Sequence, residues 1–506
     1  MEKLNRSFLA NYKGAVGIEA AQIRADLPER VLQFGEGNFL RAFADWMIHQ
    51  LNKNNLFNGK VVVAQPIAEG LADKLNAQDG IYTLLLRGLA DGKIVEKKEI
   101  IDVISRCLNP YGQWETVLAC AENPDIEFVI SNTTEAGIAY DAADRIDLNP
   151  PVSFPGKMTA YLYRRYQHFN GAADKGLAIL ACELIERNGD NLKAIVLRLA
   201  KEWGLPAEFS AWVETANIFA NTLVDRVVTG YPRDEVAKLQ SELGYVDELM
   251  DTGELFHLWV IEGPQELAKR LPFTEVGLNV IWTDDMTPYR TRKVRILNGA
   301  HTSSVPASFL YGLETVKEMM DHVVTGKFVR QIIQEEILPS IDLDRAMLEK
   351  FAGDVIERFE NPFIKHYLLS ILLNSSSKFK ARVLPSLLEY HKKTGVLPQR
   401  LVFSLAALIA AYKNGVLEGT GLKVQREAGD YVMKDDVPVL EFFADHWAKF
   451  DGSQEAARQL SQAVLAKQSL WGMDLNQVPE LTAAVGNYLF KISRVGIQQT
   501  MQDIVK

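Results

Sequence analysis

In the segment TRKVRILNGAHTSSV, Lys293, Asn298 and His301 stand five and three residues apart. At about 100° per residue, an α-helix would hold all three within an arc of about 140°, so one helix could aim them at a common pocket. The residue types suit oxidation of an alcohol or reduction of a ketone. A lysine whose pKa is lowered by burial or by nearby cations, such as its sequence neighbours Arg292 and Arg295, exchanges the hydroxyl proton. An amide donor and an imidazole hold the oxygen as its charge develops. The same letters also fit a plainer pattern, a solvated lysine followed by an Asn-Gly turn or helix end. The spacing alone does not choose between these two.

A second cluster lies near the N-terminus. RVLQFGEGNFLRAF places Gly35 and Gly37 between a β-like run and a helical one, where a dinucleotide-binding domain seats its pyrophosphate on a helix N-terminus. The fingerprint is incomplete. Leu40 stands where a third glycine would fall, and Gln65 and Pro66 stand where an acidic ribose ligand would end the second strand. Arg41 is placed to reach a phosphate, or else to lie on the helix surface.

These clusters need elements to carry them. Strand-like runs at 30–34, 60–67, 126–134 and 176–184 alternate with helical patterns at 40–52 and 157–169. A further strand pair fits 81–108. Such alternation predicts a parallel sheet covered by helices on both faces. From about Thr287 the helical pattern takes over, in runs 293–320, 328–338, 344–358, 363–374, 381–395, 400–413, 438–449 and 453–467, punctuated by Pro339, Pro362, Pro385 and Pro398. The expected organisation is an α/β, Rossmann-like domain over 1–285 followed by a mostly α-helical domain over 286–506.

Bulk composition sets the outer bounds. A chain of 506 residues with 47% hydrophobic and 24% charged residues is long enough and apolar enough for two folded cores. Its net charge of −10 offers no basic face for nucleic acid. The N-terminus lacks a signal-peptide core, and the longest apolar stretch, 401–412, is too short to span a bilayer. No membrane association is expected. Cys107, Cys120 and Cys182 are unpaired in spacing and the eight histidines are scattered, which speaks against a disulfide framework and a cysteine-type zinc site. A reducing cytoplasm is the expected compartment, with no metal site.

On these residues the chain resembles the polyol-specific long-chain dehydrogenases, the mannitol dehydrogenase family. Its K-x4-N-x2-H motif matches Lys293, Asn298 and His301. ISNTTEAG (130–137) resembles the family's T-x-x-E-G stretch, CELIERNG (182–189) its C-D-N-x-x-x-N-G segment, and LVDRVVTG (223–230) its V-D-R segment. The resemblance spans nearly the whole chain. It implies an NAD-dependent oxidoreductase without zinc, in which Lys293 is the acid/base and Asn298, His301 and Asn188 contact the reacting oxygen. It also implies a cofactor site built from Phe34, Gly35, Glu36, Gly37, Asn38, Phe39, Arg41, Thr133, Glu135 and Asp225. Glu183 and Leu184 depart from the family's Asp-Asn pair, which speaks against mannitol itself.

The closest resemblance within the family is to members that interconvert a keto-uronate and an aldonate in bacterial galacturonate breakdown. A keto-uronate carries a carboxylate that must be paired when buried. NPFIKHYLLSILLNSSSKFKARVLP (361–385) supplies a cationic cluster in an otherwise acidic chain, with Lys365, His366, Lys378, Lys380 and Arg382 as candidate partners. A solvated basic helix face fits each of these residues equally well. A keto-uronate of other stereochemistry, and a non-catalytic NAD-binding regulator, are the competing readings; intact Lys293, Asn298 and His301 speak against the second.

Overall fold

The computed structural model describes residues 1–15, 17, 18, 24, 26–133 and 136–506. The chain divides into two compact units, Met1–Met286 and Thr287–Lys506.

Among its described residues the first unit has eleven strands in chain order: β1 (Glu29–Phe34), β2 (Lys60–Ala64), β3 (Tyr82–Ala90), β4 (Lys93–Ile101), β5 (Ile104–Leu108), β6 (Phe128–Ser131), β7 (Ala178–Ala181), β8 (Ile218–Asp225), β9 (Asp251–Glu254), β10 (Leu258–Glu262) and β11 (Val280–Thr283). Eight of them form one sheet in the order β11-β10-β8-β7-β6-β1-β2-β5. From β5 to β8 every pairing is parallel; β10 then joins β8 antiparallel and β11 joins β10 parallel. Read from β5, the six parallel strands follow the 3-2-1-4-5-6 order of dinucleotide-binding sheets, with the topological switch point between β1 and β6.

Both faces of this sheet are covered, and successive residues alternate between two cores. Val31, Val61, Val63, Phe128, Ile130 and Leu180 pack on one side, with the helical run 38–53. Leu32, Phe34, Val62, Val129 and Ile179 pack on the other, with helices Phe154–His168, Asn188–Glu202 and Ala207–Ala216. This explains why the strands read as unbroken apolar runs. β2, β6 and β7 are shorter than expected: β2 stops at Ala64, because the Gln65 side chain donates to Ile67 O and Ala68 O and accepts from Ala72 N, closing a loop. The pair expected over 81–108 divides between two sheets. β3 and β4 form a hairpin closed by Asp91-Gly92, both with positive φ, and join β9 in a separate three-stranded sheet, while β5 returns to the main one.

The second unit is mostly helical. The helix expected over 293–320 begins earlier, at Thr287, and ends at Tyr311, where Gly312 adopts φ +110°; a capping box at Thr315 and Glu318 then starts Val316–Asp321. The run 363–374 is helical only over Leu368–Leu372, because Phe363 N donates to Asn361 Oδ1 and Pro362 follows, which favours a turn. The apolar stretch 401–412 forms the buried helix Gln399–Ala410. Three short strands, β12 (Val416–Glu418), β13 (Gly421–Val424) and β14 (Tyr431–Met433), and the long helix Leu481–Ile504 were not anticipated. Among the described residues no helix is long and apolar enough to cross a membrane.

Candidate active site

The cofactor turn follows β1. Gly35 has φ +125°, and a Cβ there would lie 2.7 Å from Asn132 O, the carbonyl that follows β6. Only glycine permits this approach across the switch point. Gly37 is exposed with nothing within 4 Å of an added Cβ, so a ligand has room to reach the backbone. The helix opens at Asn38 and continues through a π-helical segment, Arg41–Asp45, into Trp46–Lys53. The wide π turn releases carbonyls from their usual partners. Two distant side chains take them: Tyr82 Oη donates to Arg41 O at 2.6 Å, and Arg226 Nη1 to Ala42 O at 2.7 Å. A glycine cradle, free N–H groups and the switch point together fit a dinucleotide.

Individual residues of that expected site divide. Gly35, Gly37, exposed Asn38 and Phe39, which stacks on Phe43 at 4.9 Å, surround the turn. Glu36 is buried beside Leu71 N and its carboxyl is pushed above the usual range by burial. Thr133 is fixed by Glu183, which accepts from its N–H and its hydroxyl at 3.1 Å each and from Ser131 Oγ at 3.0 Å. Burial raises the Glu183 carboxyl pKa. Asp225 is buried at the end of β8. Glu135 lies outside the described residues.

Three expected roles are corrected. Arg41 is 2% exposed and turned inward, donating to Glu36 O, Leu249 O and Asn38 Oδ1 and facing Asp251 at 3.7 Å; it braces the turn from beneath rather than meeting a phosphate. The Phe34 ring packs in the core against Phe154, leaving only its backbone at the turn. Asn188 is fully buried. Its amide donates to Ala181 O, Glu183 O and Thr222 O, and its carbonyl accepts from Gly189 N and Thr222 N. With its amide protons engaged in tying β7 to β8, Asn188 is a structural clasp and has no donor to spare for an alkoxide.

In the second unit, Lys293–Asn298 is a π-helical segment inside one continuous helix, with Gly299 N donating to Val294 O, five residues back. Asn298-Gly299 therefore continues a helix instead of ending one. Gly299 has a packing reason: a Cβ there would meet Arg382 O at 3.0 Å, so the helix Ser375–Arg382 crosses closely at this point. Lys293 and Asn298 are partly buried. His301 stacks on Phe359 with centroids 4.1 Å apart and meets His366 edge-on at 5.2 Å. Its Nε2 is buried with no hydrogen-bond partner among the described residues. Burial, then the charges of His366, Arg358 and Arg382, holds the His301 pKa well below the usual imidazole value, so the ring is neutral. Arg295 is directed elsewhere, to Ser386 Oγ and Ser340 Oγ, and Arg292 lies over Phe351.

The cationic cluster expected over 361–385 is partly assembled. His366, Lys378 and Arg382 act electrostatically on one another or on His301. Lys365 and Lys380 are exposed, and Lys380 lies against Gly472. Arg358 joins the group without having been singled out; its only sequence signal is its place beside Phe359 at the end of a helix. Among the described residues, no group of three or more His, Cys, Asp or Glu side chains is arranged to hold a metal ion.

Comparison with known proteins bears on the fold and the family. The chain matches the family models for the mannitol dehydrogenase Rossmann domain over residues 29–275 and the mannitol dehydrogenase C-terminal domain over residues 285–493. It is 45% identical over 502 residues to an altronate oxidoreductase of Bacillus subtilis (strain 168), covering 99% of this chain and 98% of the relative. It is 47% identical over 481 residues to an altronate oxidoreductase of Escherichia coli O6:K15:H31, covering 95% and 98%. Two solved structures share the fold. A Pseudomonas fluorescens mannitol 2-dehydrogenase in ternary complex with NAD and D-mannitol superposes with TM-score 0.70 at 22% identity over 99% of both chains. A substrate-free D-sorbitol dehydrogenase superposes with TM-score 0.80 at 20% identity, covering 99% of this chain and 100% of the other.

Proposed function

The chain belongs to the mannitol dehydrogenase family, and on that footing we propose that it is an NAD-dependent oxidoreductase interconverting the keto-uronate D-tagaturonate and the aldonate D-altronate, a step of galacturonate breakdown. The observation that carries the reading is the placement of Lys293, Asn298 and His301 on one continuous helix, beside a cluster of cations suited to a carboxylate. The substrate pair is supported by the two altronate oxidoreductases, related over nearly their full length.

The dinucleotide would rest on the Gly35–Gly37 turn and the helix opening at Asn38; bound in its reduced form, it supplies the hydride. Lys293 delivers the proton to the substrate oxygen as that oxygen gains charge, and takes it back in the reverse direction. Asn298 donates a hydrogen bond to the developing alkoxide. His301, kept neutral by its surroundings, points an unsatisfied Nε2 that can orient the oxygen. The ketone gains one hydride and one proton and becomes the alcohol. His366, Lys378 and Arg382, with Lys365 nearby in sequence, form the group from which the carboxylate takes its partner.

The test follows absorbance in the reduced-nicotinamide band with NAD and D-altronate, D-mannonate or D-mannitol. Preferential turnover of D-altronate is expected. Preference for D-mannonate would replace the substrate and keep the lysine chemistry; preference for D-mannitol would overturn the sugar-acid reading.

A further inference from the structure

The cations around His301 are not equivalent. Lys378 donates from Nζ to Ile371 O at 3.0 Å and Leu373 O at 2.5 Å, and so closes the end of the short helix before it. Asp354 lies within electrostatic reach of Arg358 and Arg292. Arg382 differs from all of these. It is half-buried, its guanidinium has no hydrogen bond or ion pair among the described residues, and no neighbouring acid offsets its loss of hydration. A guanidinium withdrawn from water without a partner is costly. Its planar fork matches a carboxylate through two parallel hydrogen bonds.

Arg382 is also fixed relative to the reacting end of the site. Its backbone carbonyl packs against Gly299, the residue after Asn298, and its charge acts on His301, whose Nε2 is itself a buried orphan. Two unsatisfied groups, one cationic and one neutral, therefore belong to the same corner of the second unit.

We propose that Arg382 receives the substrate carboxylate and sets the preference for a sugar acid over a neutral polyol, while Lys378 is a positioning residue that holds the 371–373 turn. This inference rests on the sugar-acid reading above.

The experiment compares the unaltered enzyme with Arg382→Met, Arg382→Lys and Lys378→Met, measuring kcat and KM for D-altronate, Kd for NADH by fluorescence, and the thermal midpoint. Loss of a charge-assisted hydrogen-bond pair predicts a KM about ten- to a hundredfold higher for Arg382→Met, with kcat and the NADH Kd changed by less than about threefold. Arg382→Lys keeps the charge but loses the fork, and its KM falls in between. Lys378→Met lowers the thermal midpoint and raises KM less than Arg382→Met does. An unchanged KM in Arg382→Met overturns the proposal, as does a larger KM effect in Lys378→Met. Should Arg382→Met fail to fold, the Lys variant decides: a raised KM at a normal thermal midpoint supports the proposal, and an unchanged one overturns it. Failure of the reading beneath it has a different signature, because the unaltered enzyme would then turn over a neutral polyol in preference to any aldonate, and both would fall.

Discussion

Lys293 and Asn298 mark the two ends of one π-helical segment. In a regular α-helix, residues five apart point about 140° away from each other. A turn whose hydrogen bonds reach from i to i+5 holds more residues, which narrows that angle, and His301 follows three residues further along the same helix. The local widening narrows the arc that Lys293, Asn298 and His301 span along the helix.

Lys293→Ala should therefore remove proton transfer and little else. The expected fall in kcat is about 10²- to 10⁴-fold, with the NADH Kd within about twofold of the unaltered enzyme. Steady-state assays and fluorescence titration measure the two separately; wild-type kcat in this variant would remove Lys293 from the mechanism.

Gly35→Ala probes the cofactor turn. The new methyl would sit 2.7 Å from Asn132 O on a backbone at φ +125°, a conformation that costs a side chain about 1–3 kcal/mol. Relief requires separating the ends of β1 and β6, so NADH affinity and the thermal midpoint are both expected to drop. An alanine variant that binds NADH normally would show that the turn does not hold the dinucleotide.

Asn188→Ala separates a structural clasp from a catalytic donor. Five hydrogen bonds are lost from a fully buried position, three of them to Ala181 of β7 and Thr222 of β8. Unsatisfied groups of this kind cost about 1–3 kcal/mol each, so chemical denaturation should show a loss of several kcal/mol. The KM for D-altronate in the fraction that remains folded should stay near normal. A normal unfolding midpoint with a collapsed kcat would restore Asn188 to the reacting centre.

His257 gives a pH dependence with a fixed sign. Its Nε2 accepts from Asn279 N at 3.0 Å while Nδ1 faces Leu255 O at 3.3 Å, an arrangement that suits only the neutral ring. Burial, and then the charge of Arg226, lowers its pKa to about 4 from an ordinary value near 6.5. The unfolded chain then binds the extra proton more readily, so this stability is present above about pH 6.5 and is lost as pH falls toward 4. Urea denaturation at pH 7 and pH 5 should show a smaller difference for His257→Gln, which keeps an acceptor and a donor but does not titrate. Identical pH dependence in both proteins would remove His257 as a source.

The sequence by itself determined the main elements of the fold. Unbroken apolar runs such as VVVA at 61–64 define buried parallel strands because both faces are covered, and Gly35 after β1 announces the turn because its backbone, at φ +125°, suits glycine alone. Lys293, Asn298 and His301 stand out by type and spacing, but spacing alone fits a solvated lysine before an Asn-Gly turn equally well, and the resemblance to the family's K-x4-N-x2-H motif is what singles them out. Tertiary structure alone decided what each polar side chain faces. Arg41 and Asn188 look in sequence like ligand-binding groups, yet both are buried and held by partners up to 208 and 34 residues away. The π segment Arg41–Asp45 escapes a reading by α-helical period, since the carbonyls it releases are taken by the distant donors Tyr82 and Arg226. Arg358, Lys378 and Arg382 read alike as basic residues. Only packing separates them, because a cation's role depends on which acids, carbonyls and water remain within reach once the chain is folded.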